Sequence, residues 1–385
     1  MKPFDVAIVG AGPAGAAAAI SLARKGYGVA VVDKEKFPRD KLCGDFVNPI
    51  NWPILRELGV ESAVLATSHE KITAFRLTAC SGETAEASLP SRQEHADFGI
   101  GLRRRSLDDI LLQKARREGA AVFDECRITQ LKRQERGWSL ALDGRSGTGE
   151  ICAKVLIGAD GRNSWLAHRL GLSSAGGMHG RSVGFQIQLP SPQGTGGRVE
   201  IHLFPGGYAG VVGLGDGTVN LCLAVDKEKL PHERQLEFLW THCLPQNPCL
   251  KETIDRREPI DQARSTYPVY FKPRRSFADG VLLAGDAARV SEPVSGEGIY
   301  CAMKSGVLAA ETINEVFRSG DFSAARLSRY ERDCRRAFRL RRGINAVIRF
   351  LVYRPALAAP FIRFSARQRR PLDSIVHAVC SEAAR

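Results

Sequence analysis

FDVAIVGAGPAGAAAAISLARKGYGVAVVD, residues 4–33, decides the fold of this chain. Phe4 to Val9 reads as an apolar strand, Pro13 to Lys25 as a helix of small residues, and Val29 to Val32 as a second strand ending on Asp33. Gly10, Gly12 and Gly15 make GxGxxG in the strand–turn–helix setting that the motif requires. Gly10 permits the tight turn, and Gly12 lets backbone N–H groups approach a diphosphate. Gly15, with Ala14 and Ala16 to Ala19, lets the helix opened by Pro13 press on the sheet. The helix N-terminus then offers unpaired N–H groups and its positive dipole end. Asp33 stands where a carboxylate accepts a ribose hydroxyl, which favours an adenosine without a 2′-phosphate. This segment predicts a dinucleotide site and leaves NAD and FAD both open.

Composition bounds the rest. At 385 residues, 44% hydrophobic and 25% charged, the chain matches a soluble globular protein of one large domain or two interleaved ones. No leader peptide is expected ahead of a strand that starts at Phe4, and no apolar run reaches the length of a membrane span. Ten cysteines without CxxC or Cys/His ligand spacing point to reduced thiols in a cytoplasmic protein and to no metal site. The net charge of +13 is concentrated, with eleven arginines and no acid between Arg335 and Arg370. No recognition module accompanies that charge, so nucleic acid is not expected as a partner.

Along the chain, residues 34–49 form a basic, proline-punctuated loop and Ile54 to Leu65 reads as a short helix. ITAFRLTA and ADFGIGL, within 70–102, suggest strands away from the nucleotide sheet. Ser106 opens a helix over Leu107 to Glu118 as its N-cap. Ala121 to Phe123 and Trp138 to Leu142 read as strands, with a turn-rich stretch at Gly144 to Gly149. Strand-like runs between 182 and 225 are separated by Gly/Pro turns, and residues 232–244 read as a helix. Gly213, Gly215 and Gly217 imitate a second nucleotide turn, but Val219 to Val225 continues as a strand, so they make a hairpin. Two further strand ends carry acids. GADGRNS (158–164) places Asp160 and Gly161 after an apolar strand. LLAGDAARVSEPVSGEGI (282–299) places Gly285 and Asp286 at a strand end, before a helix opening at Gly296, Glu297 and Gly298. Open α/β sheets bind ligands at such carboxyl ends.

GAGPAG with Asp33, RRSLDDILLQKA, GADGRNS and GDAARVSEPVSGEG, taken together over residues 4 to about 315, resemble one superfamily. It comprises the p-hydroxybenzoate-hydroxylase-type FAD monooxygenases, the geranylgeranyl reductases and the flavin-dependent halogenases. The resemblance implies an α/β fold: a Rossmann-like FAD-binding domain (1–70, 101–178, 265–320), an inserted antiparallel β-sheet substrate domain (71–100, 179–264) and a basic helical C-terminal region (321–385). It implies FAD as the resident cofactor and NADH or NADPH as a visiting electron donor. The first motif would hold the ADP half, Arg104 would lie by the ribityl and diphosphate, and Asp286 would bond the ribityl chain. Asp160 would have structural and cofactor roles. The helix behind Gly296, Glu297, Gly298 and Ile299, with Pro293 before it, would face the isoalloxazine, where its dipole stabilises reduced flavin.

PRDKLCGD (38–45) and PVSGEGIYCAMKSGVLAAE (293–311) look closest to the geranylgeranyl-reductase branch. By that likeness Lys34, Arg39, Cys43 and Gly44 join the cofactor site, and Cys43 becomes a candidate catalytic thiol with a packed, unreactive cysteine as the other reading. The chain departs from the branch in having CGD for CGG, and GYAGVVGL (207–214) without the Trp and Pro of the branch's aromatic run. The implied activity is reduction or hydroxylation of a hydrophobic or carrier-bound small molecule, the hydroxylase route using a flavin hydroperoxide. A flavin-binding scaffold without turnover is the reading from another class. His202 and His242 are expected to be structural. The arginine-rich tail, interrupted at Pro355 and Pro360, fits a solvated cap, a peripheral membrane contact, a dock for an acidic acyl-carrier protein, or the mouth of a hydrophobic tunnel.

Overall fold

In the computed structural model, residues 3–90, 98–145, 147–173, 182–254, 263–290 and 293–381 are described. Phe4–Val9 is the central strand of a largely parallel sheet. It pairs with Gly147–Gly158 on one side and Val29–Val32 on the other; Val281–Leu283 and Ala121–Phe123 lie beyond these, also parallel. Alternate side chains serve two separate cores. Val6 and Ile8 pack with the Pro13–Ala23 helix, whereas Ala7 and Val9 pack with Trp138, Leu140 and Leu166. Burial on both faces explains why these short strands are continuously apolar.

The helix Pro13–Ala23 is sandwiched between that sheet and the long helix Gly298–Ser319. Small residues make the sandwich possible. A Cβ on Gly15 would lie 1.9 Å from the Gly10 carbonyl oxygen, and one on Gly306 would lie 2.2 Å from the carbonyl oxygen of Ala14. Both contacts are with backbone and cannot yield.

A second sheet has the order Arg264–Thr266, Ser182–Pro190, Thr218–Asp226, Gly207–Gly213, Arg198–Phe204, Ala74–Thr78, Thr84–Ser88. Its pairings are antiparallel except that Arg198–Phe204 runs parallel to Ala74–Thr78. Gly213 to Thr218 is the hairpin connection expected there. A small three-stranded sheet of Phe46–Val47, Gly99–Gly101 and Glu70–Ile72 stands apart from both. Four helices follow the long one: Ala324–Ala337, Arg339–Val352, Pro355–Arg367 and Arg370–Cys380. The last two lie against the Thr84–Ser88 strand, so the C-terminal region covers one end of the second sheet.

Several local expectations change. Ile54 to Leu65 is two helices, Trp52–Glu57 and Glu61–Leu65, because Gly59 turns the chain at φ +69°. Gly144 to Gly149 is mostly the ends of two long strands, and Cys126–Gln134 is a strand whose polar pattern concealed it. ADFGIGL contributes only Gly99–Gly101 to a strand, its first residues lying outside the described ones. The helix expected over 232–244 begins at Gln235 and ends in a wide turn over Leu239–Cys243. The tail is interrupted at Pro355, which opens a new helix after Val352, but Pro360 sits within that helix and does not break it.

Gly306→Ala is expected to lower stability by about 1–3 kcal/mol, the range for overpacking a tight interior. Chemical unfolding of purified protein checks this, and an unchanged midpoint would mean the two helices are not held at this distance.

Candidate functional site

A cavity of about 1060 Å³ runs from the Gly10 turn to the C-terminal helices. Gly10, Gly12, Pro13, Ala14, Asp33 and Lys34 line one end. The Pro13–Ala23 helix begins at Gly12 with no side-chain cap and no acid in its first turn, so its free N–H groups and dipole are available to an anion. Asp33 accepts hydrogen bonds from the N–H groups of Ala11 (2.7 Å) and Glu35 (3.0 Å), one on each oxygen. Its remaining lone pairs are free for a hydroxyl.

Two guanidinium groups flank this end. Arg104 donates to both oxygens of Asp108 at 2.8 Å, and Arg39 meets the same carboxylate at 3.2 Å. Asp108 is fully buried; burial works to loosen the proton of Arg104, but the charge and hydrogen bonds of Asp108, together with Cys43, more than offset it and hold the guanidinium charged. Arg39 also reaches back toward the turn, its Nη2 standing 3.4 Å from where a Gly12 Cβ would be. Two cations on one carboxylate leave net positive charge beside the helix N-terminus. Asp108 was not singled out in the sequence, although it is the acid of the same R-x-x-L-D pattern as Arg104.

Asp160, Gly161 and Asp286 line the middle of the cavity. Asp160 accepts from the Leu166 N–H (3.1 Å) through Oδ2, while its buried Oδ1 has no partner, and burial raises its pKa. Asp286 lies 3.6 Å from Arg162. Arg274 joins the two acid-bearing turns by donating to the carbonyls of Ala287 (2.7 Å) and Arg162 (2.6 Å). Beyond them Pro293, Gly296, Gly298 and Ile299 line the wall opposite Cys43 and Gly44. The Gly298–Ser319 helix also begins without a side-chain cap or a first-turn acid. A Cβ on Gly44, Gly161 or Gly298 would meet nothing within 4 Å.

Two uncapped helix N-termini, a cationic pair between them and open space over three glycines therefore share one cavity. That arrangement fits a long cofactor with a diphosphate at one end and an electron-accepting ring at the other. Residues 3–340 match the FAD binding domain family. The chain belongs to that family and is an FAD-dependent oxidoreductase. Digeranylgeranylglycerophospholipid reductase 1 of Methanothermobacter thermautotrophicus is 28% identical over 339 residues, covering 86% of this chain and 82% of the relative. The 1H-pyrrole-2-carbonyl-[peptidyl-carrier protein] chlorinase of Pseudomonas fluorescens is 26% identical over 359 residues, covering 85% and 79%. Among solved structures, a geranylgeranyl bacteriochlorophyll reductase-like protein from Thermoplasma acidophilum superposes with a TM-score of 0.82 at 21% identity. The superposition covers 99% of this chain and 97% of that one.

Three residues expected at the FAD do not line the cavity. Gly15 and Gly285 serve helix packing instead; Gly285, at φ +58°, puts its Cα where a side chain would strike Ala14. Glu297 is turned away altogether. It is 1% exposed and accepts from Arg341 Nη1 and from Asn345 Nδ2 (2.8 Å), two residues of the C-terminal helices. Arg341 is in turn fixed by the carbonyls of Val379 (3.0 Å) and Ser381 (2.5 Å). The cofactor-facing helix is thus clasped to the C-terminal region by a buried ion pair. His202 is also buried, between Thr78 (2.8 Å) and Glu200 (3.2 Å), as a structural histidine of the second sheet.

The loop at 41–45 carries polar groups that sequence reading passed over. Asp45 has φ +54°, a left-handed position that glycine adopts freely and Asp tolerates. That accounts for CGD in place of CGG. Its oxygens accept from the Arg104 N–H (3.1 Å) and from Gln186 Nε2 (3.1 Å). Burial raises Asp45 from 3.8 to about 7, against the pull of Arg104. Asn220 and Cys222 both donate to the Cys43 carbonyl at 2.8 Å, and burial pushes the Cys43 thiol up. Lys41 lines the cavity, where enclosure and then the charges of Arg162 and Arg104 hold its ammonium below its usual pKa.

The far end is apolar. Leu77, Ile201, Leu203 and Val212 from the second sheet face Ile348, Phe361 and Val376 from the C-terminal helices across it.

Gly12→Ala should fold as the wild type does, since its new methyl meets only the Arg39 guanidinium at ordinary contact distance, yet retain FAD about tenfold less tightly, a loss near 1.4 kcal/mol. Flavin absorbance after dialysis measures this, and undiminished retention would remove Gly12 from the site.

Asp45 also predicts a pH dependence. Between pH 3.8 and about 7 the folded chain holds a proton that the unfolded chain has released. Its contribution to stability therefore falls as pH rises through that window and is level above it. Asp45→Asn should flatten this slope relative to wild type in thermal unfolding across the same range; parallel curves would show that Asp45 titrates normally.

Proposed function

We propose that this protein reduces carbon–carbon double bonds of an apolar substrate, using electrons from NADH or NADPH. The observation that carries the reading is the continuity of the cavity. Its polar, cofactor-fitting end opens directly into a compartment walled by aliphatic and aromatic side chains. The kinship with a lipid reductase across most of both chains supports the same reading.

Gly10, Gly12, Arg39 and Arg104 would hold the diphosphate of FAD, Asp33 the adenosine ribose, and Asp286 the ribityl chain. Gly296 to Ile299 would face the ring. FAD bound there supplies hydride chemistry. This chain's residues do the rest. Leu203, Phe361 and Val376 align an extended apolar substrate and keep water from it. Cys43 lines the cavity with its thiol kept protonated by burial, and Asp45, two residues on, retains a proton near neutral pH. Of the two, Cys43 is the one that lines the cavity, and its thiol would protonate the carbon adjacent to the one that receives hydride.

Turnover of holoprotein under nitrogen tests the proposal, with NADPH or NADH and a panel of prenyl, acyl and aromatic substrates. The expected outcome is a product heavier by two hydrogens per double bond, formed without oxygen. Strict, stoichiometric need for O₂ would instead assign hydroxylation, and an added halide requirement would assign halogenation. Flavin that stays oxidised with every substrate and donor would leave a binding protein without turnover.

A further inference from the structure

The helices that wall the apolar compartment have a second apolar face, directed outward. On Arg339–Val352, Ile348 and Val352 line the cavity, whereas Leu340, Val347 and Phe350 are 58%, 58% and 50% exposed. On Pro355–Arg367, Ala358 and Phe361 line the cavity, and Leu357 and Phe364 are 52% and 50% exposed. The other large hydrophobic side chains exposed among the described residues reach 38% at most. The spacings 340, 343, 347, 350 and 357, 360, 364 each form one helical stripe, with Gly343 and Pro360 between the large side chains. A surface helix normally presents polar residues there.

The surroundings of the stripes are cationic. Not all of the eleven arginines of this region are available. Arg341 is buried on Glu297, Arg335 and Arg363 pair with Glu331 and Glu83, and Arg349 lies over Tyr270. Arg354 lies over the Phe350 ring, and Arg336, Arg339, Arg342 and Arg367 are exposed around the stripes, in a segment without an acid.

We propose that the outer face of Arg339–Val352 and Pro355–Arg367 docks on an anionic lipid bilayer. Leu340, Val347, Phe350, Leu357 and Phe364 enter the headgroup–acyl boundary, and the arginines pair with lipid phosphates. An apolar stripe edged by arginine is complementary to that surface on both counts. A partner surface that is acidic alone would satisfy the charges and leave the apolar side chains in water. No helix among the described residues is long and apolar enough to cross a membrane, so the contact is peripheral. Docking here would set the apolar compartment one helix thickness from the bilayer. Binding is read without turnover, so its result stands apart from the reductase reading.

Co-sedimentation of the full-length holoprotein with vesicles is the test. One set is phosphatidylcholine alone, and the other contains one-third phosphatidylglycerol. Wild type should pellet with the anionic vesicles and lose most binding at high salt. Val347→Ser/Phe350→Ser/Phe364→Ser should weaken partitioning about tenfold or more at low salt, with FAD content unchanged. Arg339→Glu/Arg342→Glu/Arg367→Glu should abolish it, and this second variant decides the matter if the first folds poorly. Failure of wild type to pellet with anionic vesicles overturns the proposal, as does undiminished binding by both variants. Sedimentation velocity showing a stable wild-type dimer, made monomeric by the serine variant, would reassign the face to self-association and overturn it. Binding to a purified acidic acyl-carrier protein but to neither vesicle would do the same in favour of a protein partner.

Discussion

Two helices come so close that only glycine fits between them, and the site depends on that approach. Gly306 of the long helix sits over the Ala14 carbonyl of the other, while Gly15 sits over the Gly10 carbonyl of its own turn. The helices Pro13–Ala23 and Gly298–Ser319 therefore pack backbone to backbone, and both N-termini reach the same cavity. Each dipole end is worth little alone and is screened in water. Inside a cavity partly shielded from solvent, with Arg39 and Arg104 sharing one carboxylate, the two fields favour negative charge at both ends of a bound dinucleotide.

The walls of the cavity are tied together by buried polar groups as well as by apolar packing. Asp45 and the Cys43 carbonyl meet Gln186, Asn220 and Cys222, which joins the loop after the nucleotide strand to the second sheet. Glu297 and Arg341 join the cofactor-facing helix to the C-terminal region. Ion pairs of this kind gain little net stability over apolar packing, because desolvation offsets attraction. They are intolerant of misplacement, since a displaced partner leaves an unpaired charge in the interior. Their contribution is register: a compartment formed between separate elements keeps one shape.

The fold was legible wherever function is local in sequence. Gly10, Gly12 and Asp33 are neighbours through one turn and one strand, and their spacing alone implies their geometry. Arg104 was legible as a motif residue, while its partner Asp108 was overlooked although it stands four residues along the same helix. Glu297 was misread for the opposite reason. GEG looks like one cofactor-binding unit, but the carboxylate is claimed by Arg341, 44 residues later. Cys126–Gln134 was missed because most of its residues face water, which erases the alternation that reveals a strand.

The arginine-rich tail divides what the sequence determined from what the tertiary structure decided. Composition alone established a dense positive charge mixed with apolar residues between 335 and 370. Which arginine is buried, which stacks on a ring and which stays in water depends on contacts with Glu297, Tyr270 and Glu83, all distant in the chain. The same holds for the apolar residues, split between a cavity wall and an outer stripe by which side of each helix meets the second sheet. By itself the sequence determined the nucleotide turn, the α/β order and the FAD signature, because strand–turn–helix chemistry is encoded within a few residues. Only the tertiary structure joined that turn to an apolar compartment, since its walls are brought together by packing and buried hydrogen bonds between segments hundreds of residues apart.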